Sequence, residues 1–197
     1  MSRARYAGII GALALVLWVV AAAGARPQDR REAIAVPDVA GRKVWPFARA
    51  ARAYAFVFVR TDCPISNRYA PEIVELHRAF GGRGMLMWLV YPGGQSLDAI
   101  RRHRDEYGLD VVPALLDPRM RLVDLASARV TPEAAIFDAS RQLVYRGRID
   151  DRYIDIGRWR RVPTRHDARD ALAALLAGRA LPFTSQPAVG CFIDDLR

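Results

Sequence analysis

The sequence predicts an α/β domain built on one mixed sheet, with parallel strands first and an antiparallel hairpin last. Three observations carry this. Residues 54–59 (YAFVFV) and 85–91 (MLMWLVY) are uncharged runs, the character of parallel strands covered on both faces. Segments of helical length separate the strand candidates, the alternation that builds parallel sheets. Late in the chain, two strand-like segments, 133–138 and 142–149, flank a turn at 138–141, as in a hairpin.

The elements follow in order. Residues 1–8 hold Arg3 and Arg5, and no charge appears from Ala7 to Ala25, where Ala23-Gly24-Ala25 precedes Arg26. This pattern predicts a signal peptide with a small-residue cleavage site. The alternative is an uncleaved anchor, since the run approaches the ~20 residues that span a bilayer. Both readings export residues 26–197, to the periplasm or another extracytoplasmic site, and residues 7–25 allow membrane association. Residues 33–39 and 43–47 read as short strands, with turns at Pro37-Asp38 and Gly41. A helix follows Cys63, kinked by Pro71, and Gly81, Gly82 and Gly84 end it. Ser96 caps a helix through Tyr107, with Leu97, Ile100 and Tyr107 apolar. Residues 111–116 form a short strand, and Asp117-Pro118 starts a short helix through Leu125. Asp167 caps a helix to Ala177, which Gly178 ends. The expected organisation is a leader (1–25), one domain (26–178) and a tail (179–197) carrying Cys191.

The net charge is +9, and Lys43 is the only lysine. Arginines on a solvated surface account for this charge, and attraction to anionic lipid or acidic partners is the sharper reading. Nucleic acid is excluded as a partner by export and by the lack of interleaved aromatics. The two cysteines, Cys63 and Cys191, are spaced too far apart for a zinc finger or ribbon, and an oxidising compartment permits a disulfide between them.

Chemistry concentrates at residues 54–73, YAFVFVRTDCPISNRYAPEI. Cys63 follows a buried strand and opens a helix, where free N–H groups favour thiolate over thiol. Pro64 suits the first helical position, because its missing N–H is not needed there. Strand, cysteine, proline and a second proline eight residues on resemble the active-site element of the thioredoxin superfamily. The wording TDCPISNRYAPEI is most similar to its bacterial redoxin branch, the AhpC/TSA-like and thiol-disulfide-isomerase-like proteins. The match has two departures. The Cys-x-x-Cys of thioredoxins has Ser66 at its fourth position here. The Pro-x-x-x-Thr-x-x-Cys of peroxiredoxins meets Phe56 and Arg60 at the Pro and Thr places.

The resemblance implies a thioredoxin-like three-layer fold and a cis peptide at Thr131-Pro132, facing the cysteine. Topology then brings the carboxyl end of the cysteine's strand, the start of the strand after Pro132 and the end of the return strand to one edge. Residues 149–166 therefore emerge beside Cys63. The tail from Gly178, at ~3.3 Å per residue, is long enough to return Cys191 to Cys63, although the spacing does not demand it.

Cys63, Cys191, Thr131, Pro132, Ser66 and Arg148 are the candidate catalytic residues. Cys63 is the nucleophile, and as the helix-end thiolate it should be alkylated faster than Cys191. Cys191 is the resolving thiol or half of a permanent bridge. The Ser66 hydroxyl donates to the thiolate or satisfies its own helix turn. Arg60 or Arg148 supplies positive charge. Asp150 and Asp151 read as solvated turn charges, and His77, His103 and His166 as surface or helix residues. The resemblance implies thiol-disulfide exchange or peroxide reduction, with a protein or small-molecule thiol, disulfide or peroxide as partner, an external reductant, and no cofactor or metal. A non-catalytic binding module with a structural disulfide is one alternative. Copper delivery is another, although the relatives that do this use Cys-x-x-x-Cys and Asn67 stands at the second place here.

Overall fold

The computed structural model describes residues 31 and 33–196; the predicted leader, 1–25, lies outside the described residues. The central sheet has six strands, and two short strands from the N-terminal segment, β1 (Val36–Pro37) and β2 (Lys43–Val44), pair beside it. At its centre is β3 (Ala53–Phe58), in which every residue is buried. It pairs in parallel with β4 (Met85–Pro92), which pairs in parallel with β5 (Ala114–Asp117). On its other side β3 is antiparallel to β7 (Glu133–Asp138), which is antiparallel to β8 (Leu143–Gly147). The mixed sheet expected from the two apolar runs and the late hairpin is therefore present.

Period-2 alternation along β3 divides the core in two. Ala53, Ala55 and Val57 face a cluster with Ile73 and Leu76 of α2 (Ala70–Phe80), Ile100 of α3 (Leu97–Glu106) and Leu172 of α5 (Asp167–Leu176). Tyr54, Phe56 and Phe58 face Phe47, Phe137, and Leu122 and Val123 of α4 (Arg121–Ala126). Two such layers around one sheet make the three-layer architecture.

The helix after Cys63 is divided rather than bent. α1 (Pro64–Arg68) stops at Tyr69 and α2 restarts at Ala70, because Pro71 has no N–H to bond back into the preceding turn. Two expected boundaries move. The strand placed at 111–116 begins only at Ala114, since Pro113 cannot donate to the ladder and Val111 points to solvent. The helix placed from Asp117 begins at Arg121, because the Asp117 carboxylate accepts the N–H groups of Arg121, Leu122 and Val123 and so caps the helix from a distance.

The tail forms part of the sheet system. β11 (Ser185–Gln186) adds in parallel to the edge of β8, and β12 (Cys191–Phe192) pairs antiparallel with β6 (Val130–Thr131). Beyond β12, Ile193 is fully buried in the second core cluster. Two glycines permit the close approach. A Cβ at Gly147 would collide with the backbone of Gln186, and one at Gly190 with the Thr131 carbonyl.

Candidate functional site

Cys63 stands where β3 hands over to α1, at the N-cap position with extended backbone, φ −93° and ψ 107°. Phe58, at the end of β3, lies opposite Glu133, the first residue of β7, so the segment before β7 returns beside the cysteine. There the Thr131-Pro132 bond is cis, and the Thr131 carbonyl accepts from Cys63 Sγ at 3.0 Å. β12 lies on the other side of β6, with Cys191 directly opposite Thr131. The two sulfurs are thereby 2.6 Å apart, although 128 positions separate them in sequence. Both are free thiols in this structure.

The two thiols are held differently. Burial pushes Cys63 up, but donation from the Cys191 thiol, from the hydroxyl and N–H of Ser66, and from Thr131 outweighs it and leaves Cys63 below the ordinary thiol value. Burial and the neighbouring Cys63 push Cys191 up to about 12. Ser66 Oγ is buried with no hydrogen-bond partner in the thiol form, so its hydroxyl is left to serve the Cys63 thiolate. Arg60 pairs with Asp62 at 2.8 Å and donates to the Phe192 carbonyl at 3.1 Å, which fastens β12 from outside. Its charge acts on both sulfurs.

Cys63 is wholly buried under this tail, whereas Cys191 is partly exposed. Access, set by β12, therefore opposes the advantage in ionisation on which faster alkylation of Cys63 was expected. Arg148 is paired with a carboxylate. Its Nε donates to Asp167 Oδ2 at 2.6 Å, and Asp167 takes Arg165 at 2.9 Å as well. Arg148 thus anchors the start of α5, and Arg60 is the arginine beside the sulfurs.

Residues 149–166 flank the site as topology predicts, but they carry a small hairpin, β9 (Tyr153–Asp155) and β10 (Arg158–Trp159). Asp150 and Asp151 are buried rather than solvated. Asp150 accepts from the Tyr69 hydroxyl and the Arg152 N–H. Asp151 accepts from the N–H groups of Thr164 and Arg165 and from the Thr164 hydroxyl. These bonds and Arg160 outweigh burial and lower Asp151 to about 2. The hairpin, α1 and β12 enclose an apolar groove of about 410 Å³ in which Cys191 is exposed. A larger cavity, about 660 Å³, lies toward the start of β4 between Trp45, Arg78 and Trp88 and contains neither sulfur.

His103 lies on α3, as expected of a helix residue, and is buried. Its Nε2 donates to Asn67 Oδ1 at 3.0 Å, so its Nδ1 accepts from the Tyr91 hydroxyl at 2.8 Å. This chain ties α1 to α3 and β4. The signal was its spacing, three residues after Ile100 and four before Tyr107, on the apolar face. His166 lies 4.0 Å from Glu72. Among the described residues no group of three His, Cys, Asp or Glu side chains converges on a metal position, and no helix is long and apolar enough to cross a membrane.

No protein-family model matches the chain, and no curated protein matches its sequence. Solved structures do match. An uncharacterized conserved protein from Geobacillus kaustophilus is 26% identical with TM-score 0.71, over 81% of this chain and 87% of that one. A hypothetical protein from Sinorhizobium meliloti 1021 is 24% identical with TM-score 0.70, over 81% and 89%. A secreted Mycobacterium tuberculosis disulfide oxidoreductase homologous to E. coli DsbE is 15% identical with TM-score 0.53, over 76% of this chain and 98% of that one. With this sheet order, these layers and these structural likenesses, the fold of the chain is thioredoxin-like.

Proposed function

We propose that the protein is an exported thiol-disulfide oxidoreductase that cycles Cys63 and Cys191 between dithiol and disulfide. The observation that carries this is the meeting of the two sulfurs at 2.6 Å across 128 positions of sequence. Oxidation removes two electrons and two protons from the pair and delivers them to a partner disulfide, which leaves as two thiols. The reverse reaction reduces the bridge. Cys63 is the more readily ionised of the two sulfurs, and Cys191 supplies the second sulfur that Ser66 replaces within the helix motif. Thr131, Pro132 and Ser66 frame Cys63. A peroxide is a further class of oxidant for the same thiolate: it would give a Cys63 sulfenic acid, which Cys191 then condenses with. Export rests on the charge and apolar pattern of residues 1–25.

The test is a redox titration with both single variants. Wild type should gain and lose two thiols in glutathione buffers, and Cys63→Ser and Cys191→Ser should each abolish bridge formation. Turnover of a disulfide substrate that survives Cys63→Ser would sink the proposal. A permanent structural bridge is the competing reading, favoured by the strand pairs that seat the tail. It predicts a potential below about −300 mV, out of reach of the glutathione pool. For export, residues 1–30 fused to a reporter should carry it out of the cytoplasm, and retention would end that claim.

A further inference from the structure

The exchange reading leaves open which sulfur meets the outside partner. A thiolate attacks a disulfide in line with the bond it breaks, so the attacked sulfur must be open on the side away from its partner. Cys63 is not open: it is 0% exposed, roofed by β12 and backed by the Thr131 carbonyl. Cys191 is partly exposed and lines the groove between α1, the β9–β10 hairpin and β12. We propose that an external thiol enters at Cys191 through this groove, with Cys63 as the leaving sulfur, and that the groove selects a thiol carrying an apolar group and a carboxylate.

The apolar half of that specificity is on the surface. Ile156, Trp159 and Phe192 are 71%, 50% and 60% exposed, and they line the groove with Ile65 and Tyr153. Large apolar side chains gathered around an open sulfur form a contact surface for an apolar group. The charged half is the rim. The Arg68 guanidinium lines the groove 4.8 Å over the Trp159 ring, and no acidic group pairs with Arg68 among the described residues. Of the nearby carboxylates, Asp62 is paired with Arg60, and Asp155 accepts the Ile156 N–H outside the groove lining. Arg68 is the only charged side chain that lines the groove among the described residues, and it suits an anion.

The step balances without another reagent. The electron pair of the entering thiolate forms a bond to Cys191 Sγ, the Cys191–Cys63 bond breaks, and its pair remains on Cys63 Sγ as thiolate. A second external thiolate then attacks the mixed disulfide at the external sulfur. It releases the external disulfide, and Cys191 takes up a proton. The pKa order supports this direction, because the sulfur with the lower pKa leaves faster.

The inference rests on the exchange reading, and one experiment separates the two. Oxidised full-length protein is mixed with 2-mercapto-3-phenylpropionate, which is apolar and anionic, or with cysteamine, which is cationic. Each rate is normalised to that thiol's reaction with hydroxyethyl disulfide. The reaction is quenched in acid, free thiols are alkylated, and the peptides are read by mass spectrometry. The mixed disulfide should lie on Cys191 with Cys63 alkylated, and the anionic aromatic thiol should be about tenfold faster. Trp159→Ala with Arg68→Gln should remove most of that preference while the bridge still forms. An adduct on Cys63, or equal normalised rates, overturns this inference and leaves the exchange reading standing. A pair that never forms a bridge overturns both.

Discussion

Cys63 and Cys191 occupy one small volume and hold their protons unequally. Burial raises both, but Cys63 receives donors, whereas Cys191 faces the Cys63 sulfur, which Arg60 offsets only in part. In the reduced protein the thiolate absorbance should therefore titrate with a midpoint below 9.0, the ordinary thiol value. Cys191→Ala removes a donor to the anion and should raise that midpoint; Ser66→Ala should raise it less. An unchanged midpoint in Cys191→Ala would show that the tail thiol does not stabilise the anion. The two shifts have opposite effects on the fold. The Cys63 contribution to stability is complete above 9.0 and is lost as pH falls through its lower folded value, whereas Cys191 opposes the fold as pH rises above 9.0 toward about 12. Cys63 was legible in the sequence because its setting is local: a strand before it and Pro64 after it. Its burial was not, because the roof arrives from a strand 128 positions later.

At the scale of elements, two attachments decide whether the site holds together. β12 lies so close to β6 that Gly190 admits no Cβ. Gly190→Ala should lift the tail against a clash costing ~1–3 kcal/mol. Alkylation of Cys63 should then quicken by on the order of tenfold or more, with the rest of the sheet intact by circular dichroism. An unchanged rate would mean that the roof is not what shields Cys63. The β9–β10 hairpin is held at its base by Asp151, whose contribution is complete above its ordinary value of 3.8 and is lost as pH falls through about 2. Hydrogen exchange across residues 151–165 should therefore accelerate in acid, and in Asp151→Ala already at neutral pH. The position of this loop followed from strand directions alone. Its internal order did not, because Asp150 and Asp151 are buried by partners, Tyr69 and Thr164, that no periodicity connects to them. The starts of β5 and α4 were misplaced for a similar reason: the missing donor of Pro113 and the distant cap from Asp117 act across a turn.

Over the whole molecule, the sulfur pair would close a loop of nearly the full domain. In the chain-entropy model a bridge across 128 positions stabilises by about 5 kcal/mol. Denaturant unfolding of oxidised and reduced protein should differ by about that amount, and equal stabilities would show that the reduced tail already constrains the unfolded chain. The fold class was legible because uncharged runs and hairpin punctuation are properties of sequence neighbours. The completed site was not, since it is assembled from the first buried strand and the last short one.

The distance along the chain between the two cysteines is also an interval in time. At roughly 5–20 residues per second of synthesis, the 128 positions from Cys63 to Cys191 take on the order of ten seconds. Throughout that interval the growing polypeptide contains a lone thiol and no internal partner. The covering strand and the second sulfur come into being only when the last stretch emerges. A nascent chain is therefore open at Cys63 to whatever small thiols and disulfides surround it, and the finished protein is not.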